Sequence, residues 1–115
     1  MSPLDYTMCR QTVTVYRRQE DKVLRQVLDN CFLQMKDTLR EDVYGKECSA
    51  SFLLIVPGTQ QMVFPGDRIL EGIGPEVTDW GQTSGFAQTQ YAQVFCWDGE
   101  ICHTEAGRKG LVNNA

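Results

Sequence analysis

Phe52-Leu53-Leu54-Ile55-Val56, closed by Pro57-Gly58 and followed by Val63-Phe64-Pro65-Gly66-Asp67-Arg68-Ile69-Leu70-Glu71-Gly72, is the stretch whose reading decides the fold. Five consecutive apolar residues have the length and composition of a strand buried on both faces, and Pro-Gly stops it. Pro65-Gly66-Asp67 then forms a turn that asks for positive φ at Gly66, and a short second strand runs up to Gly72 and Gly74. Toward the N-terminus, Thr12 to Tyr16 alternates: Val13 and Val15 share one face, and Thr12, Thr14 and Tyr16 the other, as in a half-buried strand. Arg18-Gln19-Glu20-Asp21-Lys22 reads as a polar hairpin turn. Lys36 to Glu47 is charged and reads as a long exposed connection or a short helix, and Thr78 to Thr89, with Gly81 and Gly85, as a mobile loop that holds Trp80 and Phe86.

Toward the C-terminus, Tyr91 to Trp97, Asp98-Gly99 and Glu100 to Thr104 carry a strong hairpin signal, because Asp-Gly supplies the positive φ values of a type I′ turn. A two-residue loop predicts that Trp97 pairs with Glu100, Cys96 with Ile101, Phe95 with Cys102 and Val94 with His103. Cys96 and Cys102 then point apart, so the thiolates and imidazole that would suit zinc, Cys96, Cys102 and His103, cannot share a metal. His103 is the sole histidine and reads as a half-buried or interface strand residue rather than the activator of a cysteine nucleophile. The paired carboxylates Glu20-Asp21 and Glu41-Asp42 lie in charged turns. Gly72-x-Gly74-Pro75 lacks the lysine-bearing helix start of a phosphate loop. The expectation is no catalytic residue, no metal and no cofactor, and a protein that is not an enzyme.

Composition bounds the rest. A chain of 115 residues, 42% hydrophobic, holds one core, read as a single domain over 1–105 with a flexible Gly- and Asn-rich tail over 106–115. A net charge of −4 leaves no basic surface to neutralise phosphates, which argues against specific nucleic-acid binding. No basic and apolar leader is visible, and no apolar run nears the roughly 20 residues that span a bilayer, so no membrane association is expected. Five cysteines, at 9, 31, 48, 96 and 102, with no C-x-x-C spacing, read as buried thiols in a reducing cytoplasm rather than a disulfide framework.

The order of motifs carries a resemblance. Thr12-Val13-Thr14-Val15-Tyr16-Arg17, then Arg25-Gln26-Val27-Leu28, then the Ile55-Val56-Pro57 strand end, then Gly66-Asp67-Arg68-Ile69-Leu70-Glu71-Gly72 resemble, over roughly Cys9 to Gly74, the small minor-capsid or head-closure-like proteins of the head-completion region of tailed-phage and prophage genomes. The resemblance implies a mainly β domain, a small barrel or sandwich of six to eight strands with a long Gly-containing loop. It implies a structural virion protein at the head–tail junction, a ring homo-oligomer touching portal, adaptor and tail proteins, assembled in the bacterial cytoplasm and acting by protein–protein contact. Val23 to Leu39 is contested. Val23, Leu24, Val27, Leu28, Cys31, Phe32, Met35 and Leu39 recur at helical spacing, whereas the resemblance implies two extended pieces broken near Asp29-Asn30. Extended structure is the expectation, and an α+β fold with one helix near 23–39 the alternative.

Tyr6, Tyr16, Trp80 and Phe86 are candidate partner contacts, as aromatics at positions where a small core does not obviously need them. The second functional reading is a free-standing β-barrel module that binds another protein in a bacterial cell.

Overall fold

A computed structural model describes residues 6–42, 45–97 and 101–108. Seven strands run in chain order: β1 Gln11–Gln19, β2 Lys22–Asp42, β3 Gly45–Pro57, β4 Arg68–Glu71, β5 Ala87–Gln88, β6 Tyr91–Trp97 and β7 Ile101–Arg108. Their order across the sheet is β5-β4-β1-β2-β3-β7-β6, and every neighbouring pair is antiparallel. The sheet curls into a half-barrel, so the domain is mainly β. There is no α-helix among the described residues, only 3-10 turns at Tyr6–Met8 and Trp80–Thr83.

The contested segment is extended. β2 pairs with β1 through Gln11↔Cys31 and with β3 from Phe32↔Ile55 onward, so its two halves belong to different sides of the curl. Between them lies a bulge: Gln11 to Val13 on β1 opposes Cys31 to Leu28 on β2, and Asn30 takes φ +57, a conformation that asparagine tolerates. Side chains bridge the gap in the ladder, with the Leu33 amide donating to Gln11 Oε1 at 2.9 Å and Thr12 Oγ1 donating to Asp29 Oδ1 at 2.8 Å. The bulge also explains the helical spacing. An extra residue reverses the strand's alternation, so Leu28 and Cys31, three apart, both face the core, while Leu24 and Met35 of the supposed stripe are 45% and 39% exposed.

The core lies in the concavity: Val13 and Val15 of β1, Leu28, Cys31 and Leu33 of β2, Phe52, Leu54 and Val56 of β3, Val63, Ile69 and Ala106. β3 buries alternate residues only, with Leu53 and Ile55 half-exposed on the convex side, so the expectation of burial on both faces fails there. It holds instead for β1. Val13, Thr14, Val15 and Tyr16 are all buried, because the segment after β4 folds back over the convex face of the strand. Arg18 to Lys22 is a tight turn as read, with Gln19 opposite Lys22 and Glu20 at φ +54.

Three boundaries differ from the sequence reading. Lys36 to Glu47 is neither connection nor helix; on both sides of residues 43–44 it continues β2 and β3, with Asp42 opposite Gly45. Charged residues interrupt any apolar alternation along this stretch, so the sequence does not betray it. Ala106 to Arg108, assigned to the tail, complete β7, with Ala106 buried between Leu54 and Ala92. The β6–β7 register is one residue off the expected one: Trp97 opposes Ile101, Cys96 opposes Cys102 and Phe95 opposes His103. Three residues, 98–100, therefore separate the strands, and the Asp98-Gly99 turn itself lies outside the described residues.

Candidate interaction surfaces

The Pro-Gly-Asp turn shows why the quoted motifs occur together. Gly66 has φ +95, as expected, and its amide donates to the Thr89 carbonyl at 2.9 Å. The turn delivers Asp67 into the interior, where it is 2% exposed. There its carboxylate accepts from the Phe64 amide at 2.9 Å and from Arg17 Nε and Nη2 at 3.0 and 2.8 Å. Arg17 lies over the Phe64 ring at 4.3 Å and donates to the Met62 carbonyl. This ion pair fastens the turn to β1 and is structural.

The loop between β4 and β5 is fastened as firmly. Thr14 Oγ1 donates to the Gly72 carbonyl and accepts from the Gly74 amide, both at 2.8 Å. Tyr16 donates to the Pro75 carbonyl at 2.6 Å, and Arg25 donates to the Gly74 carbonyl through Nη2 at 2.6 Å. Arg68 stacks over Trp80 at 4.4 Å and donates to Thr83 Oγ1 at 2.8 Å. Two corrections follow. Tyr16 is fully buried, so it is a core group and not a surface for partners. Phe86 packs on Tyr16 with ring centroids 5.2 Å apart, and Trp80 is held by Arg68, so both half-buried rings anchor the loop that was expected to be mobile.

The fourth candidate, Tyr6, lies on the convex face of β7. Its hydroxyl is 3.1 Å from His103 Nδ1 and its ring meets the imidazole edge-on, while Phe95 stacks on the other side at 5.8 Å. Burial pushes the Tyr6 hydroxyl pKa up, and the nearby Cys9 adds to the shift. Tyr91 is likewise raised, first by burial and then by Glu105. Tyr91 and Phe95 are 36% and 40% exposed, and with Gln90, Gln93 and Glu105 they line a shallow depression of about 590 Å³. A second, of about 390 Å³, is lined by Leu28, Pro57 and Met62 among others.

Register changes the cysteine chemistry. Cys96 and Cys102 share the concave face and form a disulfide, with Cα atoms 4.0 Å apart, so the reading of all five cysteines as thiols is wrong for this pair. His103 points to the opposite face, away from both sulfurs. Cys9 and Cys31 are free and buried. Burial pushes the Cys31 thiol up to about 12, helped by Cys9 and Asp29. No group of three His, Cys, Asp or Glu side chains lies close enough to hold a metal among the described residues.

The most prominent surface feature is one that sequence reasoning missed. Beyond the last β1 partner at Cys31 and the last β7 partner at Phe52, β2 and β3 continue as a two-stranded ribbon, Lys36↔Ser51 through Asp42↔Gly45. Seven residues per strand span roughly 23 Å. The register sets Arg40 opposite Glu47 and Glu41 opposite Lys46. Among the described residues no third strand flanks the ribbon. No protein family model, curated protein or solved structure matches this chain.

Proposed function

We propose that this chain is a structural protein of a tailed-phage or prophage particle, a head-completion or minor-capsid component that acts by binding neighbouring subunits. The observation that carries the reading is the β2–β3 ribbon. A two-stranded ribbon is marginal in water by itself, and among the described residues no further strand pairs with β2 over 36–42 or with β3 over 45–50, which suits completion by an adjacent subunit. The order of the Thr12–Arg17, Arg25–Leu28 and Gly66–Gly72 motifs supplies the virion context. Portal, adaptor and tail proteins are the partners, and the head–tail junction of a particle assembled in the bacterial cytoplasm is the site. The described surface offers two shallow depressions, one lined by Asp29, Pro57, Gln60 and Met62 among others and one by Tyr91, Gln93, Phe95 and Glu105, and assembly needs no chemistry beyond such contacts.

The test shortens the ribbon. Asp37 and Ala50 are directly opposite, so residues 38–49 can be replaced by Asn-Gly without altering the sheet. In a prophage deleted for this gene, the shortened chain is expected to fold with an unchanged near-UV spectrum yet leave heads and tails unjoined. Full infectious titre from the shortened, folded chain overturns the proposal.

A further inference from the structure

Among the described residues strand β6 closes the sheet on one side, β5 on the other. β5 is two residues long and offers almost nothing to pair with. β6 is seven residues, Tyr91-Ala92-Gln93-Val94-Phe95-Cys96-Trp97, and it lacks the devices that keep an edge unpaired: it has no charge, no proline and no glycine, and its register with β7 runs without a bulge. Ladder geometry shows which groups it presents. Cys96 and Cys102 sit 4.0 Å apart at Cα, the close spacing of a non-hydrogen-bonded pair. The N–H and C=O groups of Cys96, and by alternation those of Val94 and Ala92, therefore point away from β7 toward the open edge.

We infer that β6 is a docking edge for a second copy of this chain, the two β6 strands pairing antiparallel about a two-fold axis through Val94. This rests on the edge alone and is independent of the head-completion reading. A two-fold axis normal to the sheet sets Val94 against Val94, and Ala92 against Cys96, of the other copy, so all six outward N–H and C=O groups on each side find partners. It also keeps the faces matched, with Gln93 opposite Phe95 of the second copy on the convex side. Self-pairing selects an uncharged strand, because under this symmetry a charge near the centre meets its own like. The free stretch of β2 carries Lys36, Asp37, Arg40, Glu41 and Asp42, whereas β6 carries none. The disulfide holds β6 to β7, so the edge is already ordered when the partner arrives.

The experiment is sedimentation equilibrium of the oxidised chain over a wide concentration range, with two variants whose folding is checked by circular dichroism. Val94→Pro removes the central outward N–H and leaves the bonds to β7 intact. Gln93→Lys adds an exposed charge beside the axis. The native chain is expected to be a reversible dimer. Both variants should shift it toward monomer, Gln93→Lys by about tenfold in Kd, and an equimolar mixture of Gln93→Lys with Phe95→Glu should recover dimer, since the register sets the new charges opposite each other. If Val94→Pro does not fold, Gln93→Lys and the mixture carry the test. A monomer at every concentration, a dimer indifferent to both substitutions, or a larger assembly that persists in both overturns the inference.

Discussion

At Asp67 a carboxylate lies 2% exposed while the side chain of its partner, Arg17, is 32% exposed, and this asymmetry has a measurable sign. Replacing Arg17 by Met leaves a buried charge with only the Phe64 amide, whereas Asp67→Asn leaves that amide a partner and lets Arg17 turn to water. Arg17→Met should therefore cost about 2–4 kcal/mol and Asp67→Asn about 1–2, read as shifts in urea midpoint; equal losses would contradict it. Gly66 makes a second case. Its φ of +95 strains any β-branched residue, so Gly66→Val should lose on the order of 1–3 kcal/mol, although an added Cβ meets nothing within 4 Å. Cys31 makes a third. Its pKa is raised from 9.0 to about 12, so above pH 9 the unfolded chain sheds a proton that the folded chain keeps. Its contribution to stability is complete below pH 9 and declines as pH rises toward 12. The native chain should lose stability across that window faster than Cys31→Ser, compared by urea melts at stepped pH.

Elements were legible where burial stamps a pattern on them and illegible where it does not. The β1–β2 turn, the Gly66 turn and the existence of the β6–β7 hairpin follow from local chemistry. The hairpin register does not, because Asp98-Gly99 is equally at home in a two- or a three-residue loop. The better signal was the alternation of small residues, Ala92, Val94 and Cys96 against Ala106, Thr104 and Cys102. The ribbon was invisible because charged residues interrupt any apolar alternation along its sequence. Of the four aromatics selected as contacts, Tyr16 failed because a folded-back loop whose Pro75 lies 59 residues along the chain cannot be inferred from alternation within β1. A Cβ on Gly107 would collide with the Phe52 carbonyl and lie 2.7 Å from the Tyr91 hydroxyl, so Gly107→Ala should loosen β7 from β3 and β6 together. The check is amide exchange: protection should fall across β6 and β7 and persist in β1.

For the whole molecule, β2 governs the curl because one strand serves β1 with its first half and β3 with its second. That division has a consequence in time. β1, β2 and β3 are consecutive, and their paired ends lie close in sequence, Gln19 opposite Lys22 and Asp42 opposite Gly45, so their pairing closes short loops. β4 must return to β1 to bring Glu71 opposite Val13, and β7 must return to β3 to bring Arg108 opposite Phe52, closures that are entropically dearer and slower. The first three strands should therefore zip as a meander before either flank arrives, with Asn30 already setting the register at the bend. Pulse-labelled refolding is expected to protect amides of β1 to β3 ahead of those in β4, β6 and β7; simultaneous protection would refute this order. On a ribosome the same sequence of events means that the half of the chain emerging first has its hydrogen-bonded frame before the rest is made, and its concave face waits open for Ile69 and Ala106 to close it.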